Sequence, residues 1–153
     1  MSAREKAISV VQQLRRNGYE AYLAGGCVRD MLLHKPPQDY DIATSARPED
    51  VQRVFPQTVP VGAQFGVILV LVEGEAFEVA SFRYDGPYLD GRRPAEVRYG
   101  SLDEDIQRRD FTINGMMFDP VGGRVIDMVG GQQDLDRQTI RAIGDARLRF
   151  AED

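Results

Sequence analysis

Apolar residues recur at Ile8, Val11 and Leu14, the spacing of one helical face, which predicts a helix over residues 2–17 that Gly18 is placed to end. Residues 19–24 read as a short strand and residues 27–33 as a second helix. Pro36 and Pro37 stop that helix and deliver the chain, extended, to Asp39, and Ile42 and Ala43 continue as strand. Pro48 opens a further helix through Val54. Residues 67–72 and 76–82 read as strands joined by Glu73, Gly74 and Glu75, a compact hairpin connection. From 84 to 100, three glycines and two prolines interrupt any period, predicting a long loop that is mobile without substrate. A helix over 102–109 follows, then a helical segment from 112 to 117. Two short closing strands, 125–127 and 139–141, flank Gly130 and Gly131, and a final segment starts near Asp145.

A chain of 153 residues fits one domain with a real core and leaves no room for a second. A net charge of −5 removes the broad basic field expected of a nucleic-acid binder. Any polynucleotide must then be held by a local patch or by something outside this chain. The single cysteine, Cys27, forms no intramolecular disulfide, which fits a reducing compartment. It reads as a small buried thiol rather than a nucleophile, since no histidine can be assigned to activate it. The first residues lack a signal-peptide core, and the longest aliphatic run, 67–72, is too short to span a bilayer. The expectation is a soluble, cytoplasmic protein with no membrane partner.

The candidate chemistry lies between residues 25 and 44. Gly25 and Gly26 sit between a strand and a helix, where unpaired backbone N–H groups attract anions. Arg29, one turn on, adds a positive fork suited to phosphate. Asp39 and Asp41, two apart on an extended segment, project to one side. Two acids beside a phosphate cradle describe a two-metal site. The same Asp spacing recurs at Asp103/Asp105 and Asp134/Asp136. Both of those pairs fall in polar, helical-looking stretches, where such side chains diverge and a solvated face is the better reading. In the strand over 76–82, Glu78 shares a face with Ala76 and Ala80. It is either a third metal ligand facing the Asp39/Asp41 pair or a solvated strand residue, because register is not readable from sequence.

These residues resemble the class II branch of the DNA polymerase β-like nucleotidyltransferases, the CCA-adding tRNA nucleotidyltransferases and bacterial poly(A) polymerases. Residues 23–30, Leu-Ala-Gly-Gly-Cys-Val-Arg-Asp, look like the family's triphosphate motif, and Asp39-Tyr-Asp41-Ile-Ala-Thr like its metal motif. Residues 77–94 are similar to the strand and flexible loop that follow, and residues 108–114, Arg-Arg-Asp-Phe-Thr-Ile-Asn, to the second basic motif. Gly115 stands where the family usually has alanine. The resemblance implies an α/β (α+β) fold, a small mixed β-sheet flanked by helices, and transfer of a nucleoside monophosphate from ATP or CTP to a tRNA 3′ end. Asp39 and Asp41 would hold Mg²⁺. Gly25, Gly26, Arg29 and Arg109 would hold the nucleotide, with Arg108 projecting elsewhere. Asp110 and Asn114, four apart on a helical face, would orient that arginine or the ribose, or Asp110 would simply cap a helix. Residues 149–153 look like the start of the base-reading motif, with Asp153 its aspartate and the following arginines missing. On that reading the chain is either a head domain cut from a longer enzyme, without neck, body and tail and weak or inactive alone, or a natural minimal protein completed by a partner, and the first is the better reading. Poly(A) addition shares nearly all these motifs, and a non-catalytic nucleotide-binding module is a third possibility, which the paired carboxylates argue against.

Overall fold

The computed structural model describes residues 1–84 and 98–143. Helix α1 (Ala3–Arg16) starts at a capping box in which the Ser2 hydroxyl accepts from the Glu5 N–H and Glu5 reaches back to the Ser2 N–H. Its buried stripe is Ala7, Val10, Val11 and Leu14, so the packed face is rotated from the one through Ile8. Gly18, at φ +90°, reverses the chain into β1 (Ala21–Ala24).

The chain continues through α2 (Gly26–Leu32), β2 (Asp41–Thr44), α3 (Pro48–Val54), β3 (Thr58–Gly62), β4 (Val67–Val72) and β5 (Glu75–Ser81). After the undescribed residues come α4 (Leu102–Gln107), a 3-10 turn (Thr112–Asn114), β6 (Met117–Asp119), β7 (Arg124–Ile126) and α5 (Gly131–Asp136). The strands form one seven-stranded sheet in the order β3-β4-β5-β2-β1-β6-β7. Among the described strands only β2 and β5 pair in parallel. The sheet is therefore mixed, flanked by helices as expected.

Strand alternation divides the core between the two faces of the sheet. Leu23, Ile42, Phe77 and Val79 face α1, α2 and α3 with Val11, Leu14, Val28 and Val51. Ala24, Ala43, Phe82 and Met117 face the other way and are covered by Ile106 of α4. Tyr22 stacks on Phe82 at 6.4 Å between ring centres. Because Tyr40 and Ile42 belong to the first face, Asp41 belongs to the second.

Several expectations need correction. The segment 112–117 is no helix: Phe111 is extended, one 3-10 turn follows, and Met117 and Phe118 pair with β1. Residues 139–141 form no strand; among the described residues beyond α5 there is a single bridge, Phe111 to Ala142. Gly130 and Gly131 open α5 instead of a turn between strands. Edge strand β3 is not anticipated by the sequence pattern. The predicted loop closes at its base through Tyr84 N–H donating to the Arg98 carbonyl at 2.8 Å. Its expected mobility concerns residues 85–97, and the final segment residues 144–153; both lie outside the described residues. Among the described residues, no helix is long and apolar enough to cross a membrane.

Candidate active site

Gly25 caps α2 with φ +76° and ψ −140°, a conformation close to glycine's own. This turns the chain sharply out of β1 and brings the start of α2 to the end of the strand. The terminal Arg109 nitrogen Nη1 lies 3.7 Å from where a Cβ on Gly25 would sit, and Arg29 Nη2 lies 3.3 Å from the same point on Gly26. Two guanidiniums from distant parts of the chain thus converge on the glycine pair.

Both are held by acceptors. Arg29 donates through Nη1 to Asn114 Oδ1 at 3.0 Å and through Nε and Nη2 to Asp30 Oδ1 at 3.2 Å. Arg109 Nη2 donates to Asp105 Oδ2 at 3.0 Å. The other Asp105 oxygen accepts from Arg108 Nε at 3.0 Å and from the Arg83 N–H at 2.9 Å. Asp105 is 1% exposed. Arg109 Nε is buried without a hydrogen-bond partner.

A cavity of about 460 Å³ is lined by Gly25, Gly26, Arg29, Asp41, Arg108, Arg109, Asp110 and Asn114. A neighbouring one of about 360 Å³ includes Asp39, Asp41 and Glu78 in its wall. Asp41 is the residue common to both, so a basic and an acidic cavity meet at one carboxylate. Glu78 reaches it through the sheet: Ile42 pairs with Val79 in parallel, and one step back places Asp41 beside Glu78 on the same face.

Burial pushes the Asp41 carboxyl up to about 6, and the charges of Glu78 and Asp39 push the same way while Arg109 opposes them. None of these three carboxylates takes part in a hydrogen bond or ion pair among the described residues. That is the electrostatics of a place that gains from a cation. Among the described residues no three acidic, His or Cys side chains gather tightly enough for an all-protein metal cage. Mg²⁺ needs no such cage, since one or two carboxylates plus substrate phosphates suffice. Behind Asp41, burial pushes the Cys27 thiol up to about 11, and its Sγ donates to the Ala24 carbonyl at 3.2 Å. Such a thiol is inert as a nucleophile.

The structure therefore brings together Gly25, Gly26, Arg29, Asp41, Arg109, Asp110 and Asn114, with Asp39 and Glu78 next door; Asp153 lies outside the described residues. Asp110 and Asn114 do not share a helical face. Asp110 accepts from the Phe111 N–H at 2.8 Å and caps no helix, while Asn114 closes the 3-10 turn. Arg108 lines the same cavity as Arg109 rather than projecting elsewhere. Asp105 and Asp134 are buried, not solvated: Asp134 is 3% exposed, accepts from the Thr112 hydroxyl at 2.7 Å and pairs with Arg141. Sequence reasoning missed Asp105 as an anchor, although its spacing of three and four from Arg108 and Arg109 was available as a signal.

Against known proteins, residues 21–141 match the family described as the poly A polymerase head domain. CCA-adding enzymes of Geobacillus thermodenitrificans (strain NG80-2) and Enterococcus faecalis (strain ATCC 700802 / V583) are each 49% identical over 150 residues, covering 97% of this chain. The chain spans 37% of the length of either relative. The crystal structure of the Bacillus stearothermophilus CCA-adding enzyme in complex with CTP superposes with a TM-score of 0.88 at 43% identity, over 100% of this chain and 36% of that one. A tRNA nucleotidyltransferase complexed with a primer tRNA and an incoming ATP analog gives 0.72 at 30% identity, over 94% of this chain and 41% of that one.

Proposed function

Since this chain belongs to the poly(A) polymerase head-domain family and has the DNA polymerase β-like nucleotidyltransferase fold, we propose that it is the part of a CCA-adding enzyme that transfers nucleoside monophosphates from CTP and ATP to the 3′-hydroxyl of tRNA, releasing pyrophosphate. The observation that carries this reading is the position of Asp41, at the border between a cavity lined by arginines and a cavity lined by acids. A phosphoryl group undergoing displacement needs both: cations for its equatorial and leaving oxygens, and acids to hold a metal beside the attacking hydroxyl.

In this assignment Arg29 and Arg109 grip the triphosphate from two sides, and the turn at Gly25 leaves room for its oxygens to approach the backbone. Asn114 and Asp30 keep the Arg29 fork aimed, and Asp105 does the same for Arg109. Asp39 and Asp41, with Glu78 beside them, hold Mg²⁺. When bound, Mg²⁺ would lower the pKa of the hydroxyl and neutralise the leaving pyrophosphate. The relatives' names support CTP, ATP and tRNA as substrates, and a tRNA substrate supports the reading of a cytoplasmic enzyme. Poly(A) addition is the second reading, favoured by the family's own description.

The test is Mg²⁺-dependent incorporation of labelled CTP and ATP into tRNA lacking its 3′ end. The expected product stops at CCA and disappears with Asp41→Ala. Open-ended adenylate extension would favour poly(A) addition, and nucleotide binding without incorporation, persisting when the chain is joined to the remainder of a CCA-adding relative, would favour a non-catalytic module.

A further inference from the structure

A third cavity, about 600 Å³, lies on the sheet face opposite the carboxylates. The transfer reaction leaves it unused. Its apolar wall includes Val28 and Met31 of α2, Phe118 of β6 and Val125 of β7. Arg4, His34 and Lys35 also line it, and no acid among the described residues does, in a chain whose net charge is −5. Neither Arg4 nor Lys35 forms an ion pair among the described residues. Tyr40 lines it as well.

We propose that this cavity binds a free nucleoside monophosphate, with the base against Met31, Tyr40 and Phe118 and the phosphate on Arg4 and Lys35. Small-molecule sites are typically about 300–1,000 Å³, mostly apolar, with a few placed polar groups. Here the apolar part of the lining suits a base, and two cations lining the same cavity without ion pairs among the described residues suit a phosphate. A polynucleotide would carry further phosphates past this local patch on a chain of net negative charge, which argues for the free nucleotide. The occupant would touch both elements that shape the front site. Tyr40 sits between Asp39 and Asp41, and α2 carries Val28 and Met31 into this cavity but Gly26 and Arg29 into the other. The proposal does not depend on the transfer reaction.

The test is titration of the full chain with AMP in EDTA, read by calorimetry and by amide NMR shifts at Met31, Tyr40 and Phe118. Saturable binding is expected. The double substitution Arg4→Ala/Lys35→Ala should weaken it at least about tenfold, as the loss of charge-assisted bonds requires, and Val125→Trp, which fills the slot, should do likewise. Arg29→Ala/Arg109→Ala should change AMP affinity by less than about twofold, the sites being separate. Mg²⁺–CTP binding by Arg4→Ala/Lys35→Ala should also stay unchanged, so failure here is distinguishable from failure of the transfer reading. Absence of saturable AMP binding, an unaltered affinity in Arg4→Ala/Lys35→Ala, a loss confined to Arg29→Ala/Arg109→Ala, or tighter binding of an RNA oligonucleotide or a medium-chain fatty acid would overturn the proposal.

Discussion

Asp41 carries a cost that its chemistry explains. Its carboxyl ionises at about 6 in the folded chain against 3.8 when free, chiefly through burial and then through Glu78 and Asp39. Between those values the folded state binds the proton more tightly than the unfolded state, so stability falls as pH rises from about 4 to 6. Above that window the penalty is fully present; below it, absent. Asp41→Asn should therefore raise stability at pH 7–8 by about 1–2 kcal/mol, after allowing for screening of a part-exposed group, and leave it nearly unchanged at pH 4. Denaturant unfolding at the two pH values measures this, and equal effects at both would refute the assignment. Asp105 is the opposite case, a buried acid with three donors. Breaking such a network by Asp105→Ala should cost about 3–5 kcal/mol. The milder Asp105→Asn should keep the fold and weaken CTP binding by loosening Arg109, which thermal unfolding and calorimetry together would show.

At the scale of elements, the helices that carry local signals were readable in the sequence: α1, α2 and α3 start and stop within one or two residues of where their glycines, prolines and apolar spacing put them. The hairpin β4–β5 was equally legible from its alternation and its Gly74 turn. What was not legible depends on partners. Ile113, Met116 and Met117 carry a helix-like spacing, and only the pairing of Met117 with Ala24 and of Phe118 with Leu23 makes the end of that segment a strand. Strand β3 contains Pro60 and a 70% exposed Val61, and exists because β4 offers it an edge. Asp105 looked solvated because its burial comes from the docking of α4 on the sheet. Within the site, the glycine pair, Arg29 and the acids could be read from order alone, whereas the sharing of one cavity by Arg108 and Arg109 could not. Two glycines test how elements place chemistry. Gly18→Ala and Gly25→Ala both force alanine to positive φ, +90° and +76°, and each should cost about 1–3 kcal/mol in stability. Only Gly25→Ala sets a methyl group 3.7 Å from Arg109 Nη1. Loss of CTP affinity should follow Gly25→Ala and not Gly18→Ala, and equal losses would mean that the turn acts through stability alone.

At the scale of the whole molecule, the question is how an acidic chain handles a polyanion. The net charge is −5, and the cations facing the proposed transfer site are Arg29, Arg108 and Arg109, each already tied to Asp30 or Asp105. Engaging RNA phosphates there exchanges an internal partner for an external one, so few counterions are released from the RNA. With about three phosphates neutralised on a single strand, log K against log salt should have a slope of only about −2. The long-range field adds no attraction, because the net charge is negative and interactions beyond a Debye length of about 8–10 Å are largely screened. Nucleotide binding should behave differently. The triphosphate is compact and its charge can be met by the Arg29–Arg109 pair and by Mg²⁺ at Asp39 and Asp41. Mg²⁺–CTP should therefore be held more tightly than tRNA by these 153 residues at physiological salt. Filter binding of tRNA between 50 and 200 mM salt, beside calorimetry with CTP, decides the matter. A tRNA slope as steep as that of a dedicated binder, about −6 or beyond, would reveal a phosphate track that the described surface does not account for.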